Sequence, residues 1–158
     1  MRLLLRRETF NGFYPEALPM LLRHHAEIDD FPELPLQIDE HLYRQSEAFD
    51  ELRIFTARLD RGPADPLTLI GYAIFLIGPD TRHQGSIGAR QDAVYVEPEQ
   101  RKGTVGIQLL KFAEQELRRE GVSVVYHFVK RTHPEFGRIL ARQGYRETET
   151  VWAKRLTP

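Results

Sequence analysis

Between strand-forming residues that end at Val96 and a helical pattern that opens near Thr104, the chain reads Glu97-Pro98-Glu99-Gln100-Arg101-Lys102-Gly103-Thr104-Val105-Gly106. Charge, glycine and a helix start coincide there. The first turn of a helix has backbone N–H groups without intrahelical acceptors, and the aligned peptide dipoles concentrate partial positive charge at the same end. A phosphate is stabilised at such a terminus. Arg101 and Lys102 add two full charges, and Gly103 and Gly106, which lack a Cβ, allow a bulky diphosphate to approach the backbone. The Thr104 hydroxyl is placed to cap the helix or to donate to an oxygen. A charged surface loop, with Gly103 making the turn and Gly106 packing on a sheet, uses the same residues. The turn has neither the Gly-x-Gly-x-x-Gly spacing of dinucleotide sites nor the Gly-Lys-Ser/Thr of a P-loop, so an unrelated nucleotide-binding domain ranks last.

The elements that must position this turn follow from periodicity. Helical signals dominate the N-terminal half, and strands alternate with helices in the C-terminal half. After the turn residues Asn11-Gly12, the segment Pro15 to Ile28 places Leu18, Leu21, Leu22, His25 and Ile28 on one helical face. Phe31-Pro32-Glu33-Leu34-Pro35 breaks it, and Ile38 to Phe49 reads as a second, more polar helix. Leu52 to Arg58 is a strand, and Asp60-Arg61-Gly62-Pro63 with Asp65-Pro66 turns the chain into a second one, Leu67 to Ile77. That second strand is apolar nearly throughout and should lie centrally with both faces covered, with a bulge at Gly71. A basic, glycine-bearing loop from Gly78 to Gly88 follows, suited to closing over a ligand or to moving freely. Then come a short strand, Asp92 to Val96, and a helix, Thr104 to Glu120, that packs through Val105, Leu109, Leu110, Ala113 and Leu117 and stops at Gly121. Val122 to Val129 is a strand, Pro134 to Gln143 a helix ending near Gly144, and Arg146 to Arg155 a last strand.

Bulk properties set limits on function. A chain of 158 residues has the size of one domain. Lys and Arg number 22 against 23 Asp and Glu, so nothing in the total demands nucleic acid or an anionic membrane. With no cysteine, disulfides, thiolate metal sites and a cysteine nucleophile are excluded. The apolar run within Met1 to Arg7 is too short for a signal-peptide core or a spanning helix, and a cytoplasmic protein is the expectation. His24 and His25 have no neighbouring spacing that makes a metal site, and no metal is assigned.

The order Val96-x-Pro98-x-x-Arg101-x-x-x-x-Gly106, preceded by a strand and followed by Leu109-Leu110, resembles the acetyl-CoA-binding motif of the GNAT superfamily of N-acetyltransferases. That motif runs Gln or Arg, two residues, Gly, one residue, Gly or Ala. Arg101 and Gly106 hold the outer positions, Thr104 replaces the first glycine, and Gly103 sits one place early. The resemblance covers about Leu52 to Leu156 and implies an α/β (α+β) fold: a mixed, mostly antiparallel twisted sheet flanked by helices and splayed at the acetyl-CoA site. It implies a single domain over 1–158, with 1–51 a helical acceptor-side segment and 52–156 the sheet and cofactor core. The cofactor's pantetheine arm would bond to backbone groups of Val94, Tyr95 and Val96, and its diphosphate would meet Arg101, Lys102, Gly103, Thr104, Val105 and Gly106. A splayed strand edge has unpaired N–H and C=O groups that an amide-bearing ligand satisfies. The implied partners are acetyl-CoA and an amine acceptor, with no nucleic acid and no membrane; a homodimer is left open.

Acetyl transfer needs a neutral amine, hence a base to take a proton from the ammonium form, and an acid to protonate the leaving thiolate. Many family members take that acid from a Tyr four residues before a terminal Gly-Phe pair; here Leu140 stands before Gly144-Tyr145. The family's Asn at the entrance to the same helix maps to His133, which would hydrogen-bond the cofactor arm or titrate near neutral pH; a His before Pro134 also serves as a cap. Asp92 opens the motif strand two residues before Val94, on the same face if alternation holds, and is the carboxylate candidate for the base. Asp at a strand start also commonly bonds a loop amide. Tyr126 and His127 fall on opposite strand faces, His127 reading as a core histidine. Phe13, Tyr14, Phe31 and Tyr43 shape an acceptor pocket or simply pack the core. Because the acid is missing, a catalytically inactive CoA-binding module of the same fold stands beside the enzyme.

Overall fold

A computed structural model of the chain describes residues 1–64 and 66–157; Asp65, read from the sequence as part of a turn, lies outside them. Two compact units form, Met1–Phe128 and Val129–Pro158. In the first, strands β1 (Arg2–Glu8), β2 (Leu52–Asp60), β3 (Thr68–Pro79), β4 (Ile87–Val96) and β5 (Val124–Tyr126) lie side by side in sequence order. Neighbours among β1 to β4 pair antiparallel, and β5 is parallel to β4. Helix α1 (Phe10–Ile28) leads into α2 (Glu40–Ala48), and α3 (Val105–Arg119) makes the crossover from β4 to β5. The result is the expected mixed, mostly antiparallel sheet flanked by helices.

β3 occupies the middle of the sheet with both faces covered, as its composition requires. Leu69, Tyr72 and Ile74 pack with Phe10, Phe13, Ala17 and Met20 of α1. Ile70, Ala73 and Phe75 pack with Leu109, Ala113 and Leu117 of α3 on the other face. Leu69 and Tyr72 share a face although three residues apart because the β2–β3 register shifts between Ala57 and Arg58, leaving Ile70 unpaired just before Gly71. The extra residue resets the alternation. Gly71 itself admits no side chain: a Cβ there would stand 2.9 Å from the Tyr95 carbonyl oxygen and 3.2 Å from Val96 Cγ2.

Several boundaries differ from the sequence expectation. β1 was not expected; its Leu3 and Leu5 pack on the α3 side of the sheet. Helix α1 begins at Phe10, not Pro15, because Thr9 caps it by accepting from the Gly12 N–H, and the Glu47 carboxylate accepts from the Phe10 N–H at 2.8 Å. Asn11-Gly12 therefore lies within the first turn of a helix. Pro15 and Pro19 each remove one intrahelical hydrogen bond, and the buried stripe Phe10, Phe13, Ala17, Met20 and His24 holds the helix regardless. β4 extends back to Ile87, and the expected long loop shortens to a turn in which Asp80 N–H donates to Ser86 O and the Asp80 carboxylate accepts from Arg82 N–H. α3 stops as expected: Gly121 follows it at φ +85°, a conformation L side chains rarely adopt.

The second unit holds α4 (Pro134–Arg142), opened by His133 and Pro134, with Leu140 buried and Tyr145 N–H donating to Leu140 O. The expected strand Arg146 to Arg155 is not formed among the described residues. Its β-branched and aromatic residues suit a strand, but a strand exists only where a neighbour accepts its ladder bonds, and 146–154 is exposed throughout.

Gly71→Ala is expected to cost ~1–3 kcal/mol, as overpacking typically does, because the clashing atoms belong to backbone and to a buried valine. Denaturant midpoints of the two proteins, with the slope unchanged, measure it.

Candidate functional site

β4 and β5 pair over Gly88↔Val124, Ala89↔Val125 and Arg90↔Tyr126, and no further. β4 runs on to Val96, so the edge of 91–96 turned away from β3 has no strand partner among the described residues. Parallel strands joined by a helix can separate in this way because the crossover, not a hairpin, links them. The stretch 91–96 includes Val94, Tyr95 and Val96, the residues expected to hold a pantetheine arm; Val96 O already accepts from Arg101 Nε.

At the point where the strands part, β4 carries a bulge. Its register against β3 shifts between Ile74 and Phe75, Ile74 pairing with Ala93 and Phe75 with Gln91, so Asp92 is the residue left over. The bulge corrects the expected alternation: Ala93 and Tyr95 pack in the α1-side cluster and Val94 in the α3-side cluster. Asp92 turns to the α1 and α2 side, where the Tyr43 hydroxyl of α2 donates to its Oδ2. The residue is exposed, and no hydrogen bond to Oδ1 is recorded among the described residues. Tyr43 stacks on Phe10 at 5.2 Å, and Phe10 on Tyr14 at 4.9 Å, so the hydroxyl is held by a packed aromatic row. Burial, then the Asp92 charge, push the Tyr43 phenol well above its ordinary range, which keeps it a donor.

Behind Asp92 lies a second polar cluster within the core. His24 is buried, its Nδ1 2.9 Å from the Tyr72 hydroxyl, and its ring lies against Tyr72 and Tyr95, which are themselves register partners 5.7 Å apart. Burial first, then the charges around it, raise the Tyr72 phenol. His127 faces the α3 side: its Nδ1 is 2.6 Å from Gln91 Oε1, and its ring meets the edge of Phe75. Desolvation lowers its pKa to about 4, so the imidazole is neutral at physiological pH, the state expected of a core histidine.

The turn after β4 begins as a single 3-10 turn, Pro98–Gln100, and α3 follows from Val105 with Thr104 at its N-cap. Thr104 does not cap with its side chain; its hydroxyl accepts from Gln108 at 2.7 Å and retains its own proton for donation. Neither glycine of the turn is required by the protein itself: a Cβ on Gly106 would make an ordinary 3.7 Å contact with Val96, and one on Gly103 would meet only Gln100 O at 3.9 Å. Lys102 is exposed, beside the open end of α3.

Arg101 is engaged elsewhere. Its Nε donates to Val96 O at 2.8 Å, its Nη2 reaches both Glu27 oxygens at 2.9 Å, and its guanidinium lies over the Tyr95 ring. Arg23 likewise pairs with Glu97. The end of α1 is thus tied to both sides of the turn. Glu27 is a residue of this site that sequence reasoning did not name, and Tyr43 was read only as shaping an acceptor pocket or packing the core; no local signal pairs them with Arg101 and Asp92, which lie 74 and 49 positions away. His133 belongs to the second unit, where its Nδ1 lies 3.1 Å from Glu135 Oε1.

A cavity of about 340 Å³ lined by Arg6, Arg7, Glu8, Thr9, Gly12, Arg58 and Leu67 lies toward the β1 edge of the sheet, away from β4. Its Arg58 is already held by Glu8 and Glu16 at 2.6 Å each, so its charge is neutralised within the protein. Among the described residues no cluster of His, Asp and Glu could hold a metal ion, and no helix is long and apolar enough to cross a membrane.

Comparison with known proteins agrees with this geometry. No curated protein matches the sequence. The fold is shared with a ribosomal-protein-alanine N-acetyltransferase from Brucella melitensis biovar Abortus, at 18% identity and TM-score 0.71, covering 99% of this chain and 100% of that one. An aminoglycoside acetyltransferase from an uncultured soil metagenomic sample, in complex with sisomicin, aligns at 14% identity and TM-score 0.72, covering 98% and 97%. A Trypanosoma brucei acetyltransferase aligns at 17% identity and TM-score 0.68, covering 98% and 100%. The family model for GNAT acetyltransferases matches residues 19–145, from the middle of α1 through β4, its turn and α3 to the end of α4, and the chain belongs to that family.

Proposed function

We propose that the protein is an acetyl-CoA-dependent N-acetyltransferase that moves an acetyl group to a primary amine of a small molecule or a protein by direct attack in a ternary complex. The observation that carries this function is β4, where the unpaired edge, the bulge that presents Asp92 and the open end of α3 follow one another within a single stretch of chain. Acetyl-CoA supplies the acyl group as an activated thioester. Backbone groups of Val94, Tyr95 and Val96 hold the amides of its arm, and the N–H groups at the head of α3, with Arg101, Lys102, Gly103, Thr104, Val105 and Gly106, hold the diphosphate. Asp92 accepts the ammonium proton on Oδ1 while Oδ2 stays on the Tyr43 hydroxyl, so the attacking nitrogen is neutral. A cytoplasmic location suits this reaction.

The acceptors named for proteins of similar fold, a ribosomal protein and an aminoglycoside, span both amine classes. The aromatic row Tyr14, Phe10 and Tyr43 on α1 and α2 would form one wall of the acceptor site. A second reading, a CoA-binding module without turnover, draws on Leu140, which has no proton to give where many relatives carry tyrosine. In the enzyme reading, water protonates the leaving sulfur.

Acetyl-CoA and CoA at 100 times their dissociation constants should stabilise the fold by about 2.7 kcal/mol, read as a thermal shift that ATP and NAD do not produce. A preference for ATP or NAD would overturn the cofactor assignment. In an amine panel followed by thiol release, Asp92→Asn should lower kcat on the order of 100-fold with acetyl-CoA affinity retained; equal kcat removes Asp92 as the base, and CoA binding without turnover of any amine supports the inactive module. By calorimetry, Arg101→Glu should weaken CoA binding at least ~10-fold through charge reversal, whereas Glu27→Gln, which releases Arg101 for the diphosphate, should tighten it.

A further inference from the structure

The two faces of α2 differ in kind. Inward, Tyr43 stacks on Phe10 and donates to Asp92, and Glu47 caps α1. Outward, Leu42 and Phe49 are 56% and 66% exposed, and their spacing of about two turns puts them on one stripe. The linker that leads into α2 exposes Leu34 and Leu36 as well. Single apolar side chains on a surface are ordinary, but a leucine and a phenylalanine in line on a helix with no fully buried residue make an unpartnered face.

That face sits in a field of one sign. Between Glu27 and Glu51 stand nine of the chain's 23 Asp and Glu but one of its 22 Lys and Arg, Arg44. The near-neutral total therefore conceals an acidic segment on a basic body. Asp39 and Glu40 bracket the stripe at one end, and Asp50 and Glu51 at the other. The cations nearby are engaged: Arg44 is held by Glu40 and Asn11 over the Phe10 ring, and Arg53, which reaches Asp50, is buried and shared with Glu120. His41 is the one other basic side chain on α2.

We propose that the outer face of α2 docks a basic polypeptide segment bearing apolar side chains, and that this segment is the acceptor, an assignment that rests on the acetyltransferase reading of β4. Leu42 and Phe49 require apolar groups on the partner, and the carboxylates require lysines and arginines beside them while repelling nucleic acid and anionic lipid. Two copies meeting through α2 would set like charge against like. A small polyamine answers the charge but leaves Leu42 and Phe49 in water. A helix is about 10–12 Å across with its side chains, and an extended chain advances about 3.3 Å per residue. A lysine roughly three or four residues from the docked apolar side chains thus spans α2 to Asp92 on its inner side.

Fluorescence anisotropy of the full-length protein with a labelled Lys- and Arg-rich peptide containing one leucine and one phenylalanine tests docking without cofactor. Affinity should fall at least ~10-fold when the peptide's leucine and phenylalanine become serine, and equally when Leu42→Ser is combined with Phe49→Ser. Both positions are exposed, and unchanged far-ultraviolet circular dichroism verifies the fold. Raising salt from about 0.1 to about 1 M should also weaken binding, since screening shortens from about 10 to about 3 Å. Indifference to either serine change, or to salt, overturns the proposal, as does self-association of the protein that the double variant abolishes, which would make a second copy the occupant. With acetyl-CoA, the double variant should raise the peptide's KM rather than lower its kcat. Acetylation of small amines without docking of the peptide overturns this inference and leaves the transferase reading standing. Docking without acetylation of any amine overturns the acceptor role together with the transferase reading.

Discussion

The parting of β4 from β5 after three residue pairs is the constraint on which the candidate site depends. A sheet that paired these strands to their ends would satisfy every backbone group and leave nothing for a ligand to bind. Because the link between them is the helix α3, the strands can diverge while the crossover stays packed through Leu109, Ala113 and Leu117. The same crossover delivers the positive end of a helix to the far end of the gap. The open strand edge and the helix head beside it therefore come from one topological choice.

The bulge at Asp92 does a separate job. Without it, strict alternation would carry Asp92 to the α3 side with Val94; with it, Asp92 reaches α2 and the Tyr43 hydroxyl. One extra residue reassigns a carboxylate from one layer of the protein to the other. α2 in turn reads the state of α1, since Glu47 of α2 caps α1 at Phe10. Helices α1 and α2 and the carboxylate are thus one mechanical assembly.

What the sequence showed of all this follows the range of the interactions. The turn from Pro98 to Gly106 and α3 were legible because glycines, charge and a helical stripe are local. β3 was legible because an unbroken apolar run has only one comfortable place, the middle of a covered sheet. β1 was not, since Arg2, Arg6 and Arg7 around three leucines carry no alternation strong enough to outweigh their charge. The start of α1 was missed because Asn11-Gly12 imitates a turn, and only Thr9 and Glu47, one adjacent and one distant, make it helical. The bulge was invisible because register is a property of two strands. The partners of Glu27 and Tyr43 could not be named because the fold alone brings them together.

At its far end α3 is fastened by Glu120, which takes Arg53 of β2 at 2.6 Å and Arg7 of β1 at 2.8 Å, the first of these arginines almost wholly buried. The helix is therefore fastened at its tail as well as at the turn that precedes its head, where Arg101 holds Val96 O and Glu27. Charge thus pins the chain at both ends of a span of about four helical turns, so the placement of α3 on the sheet does not rest on its apolar stripe alone.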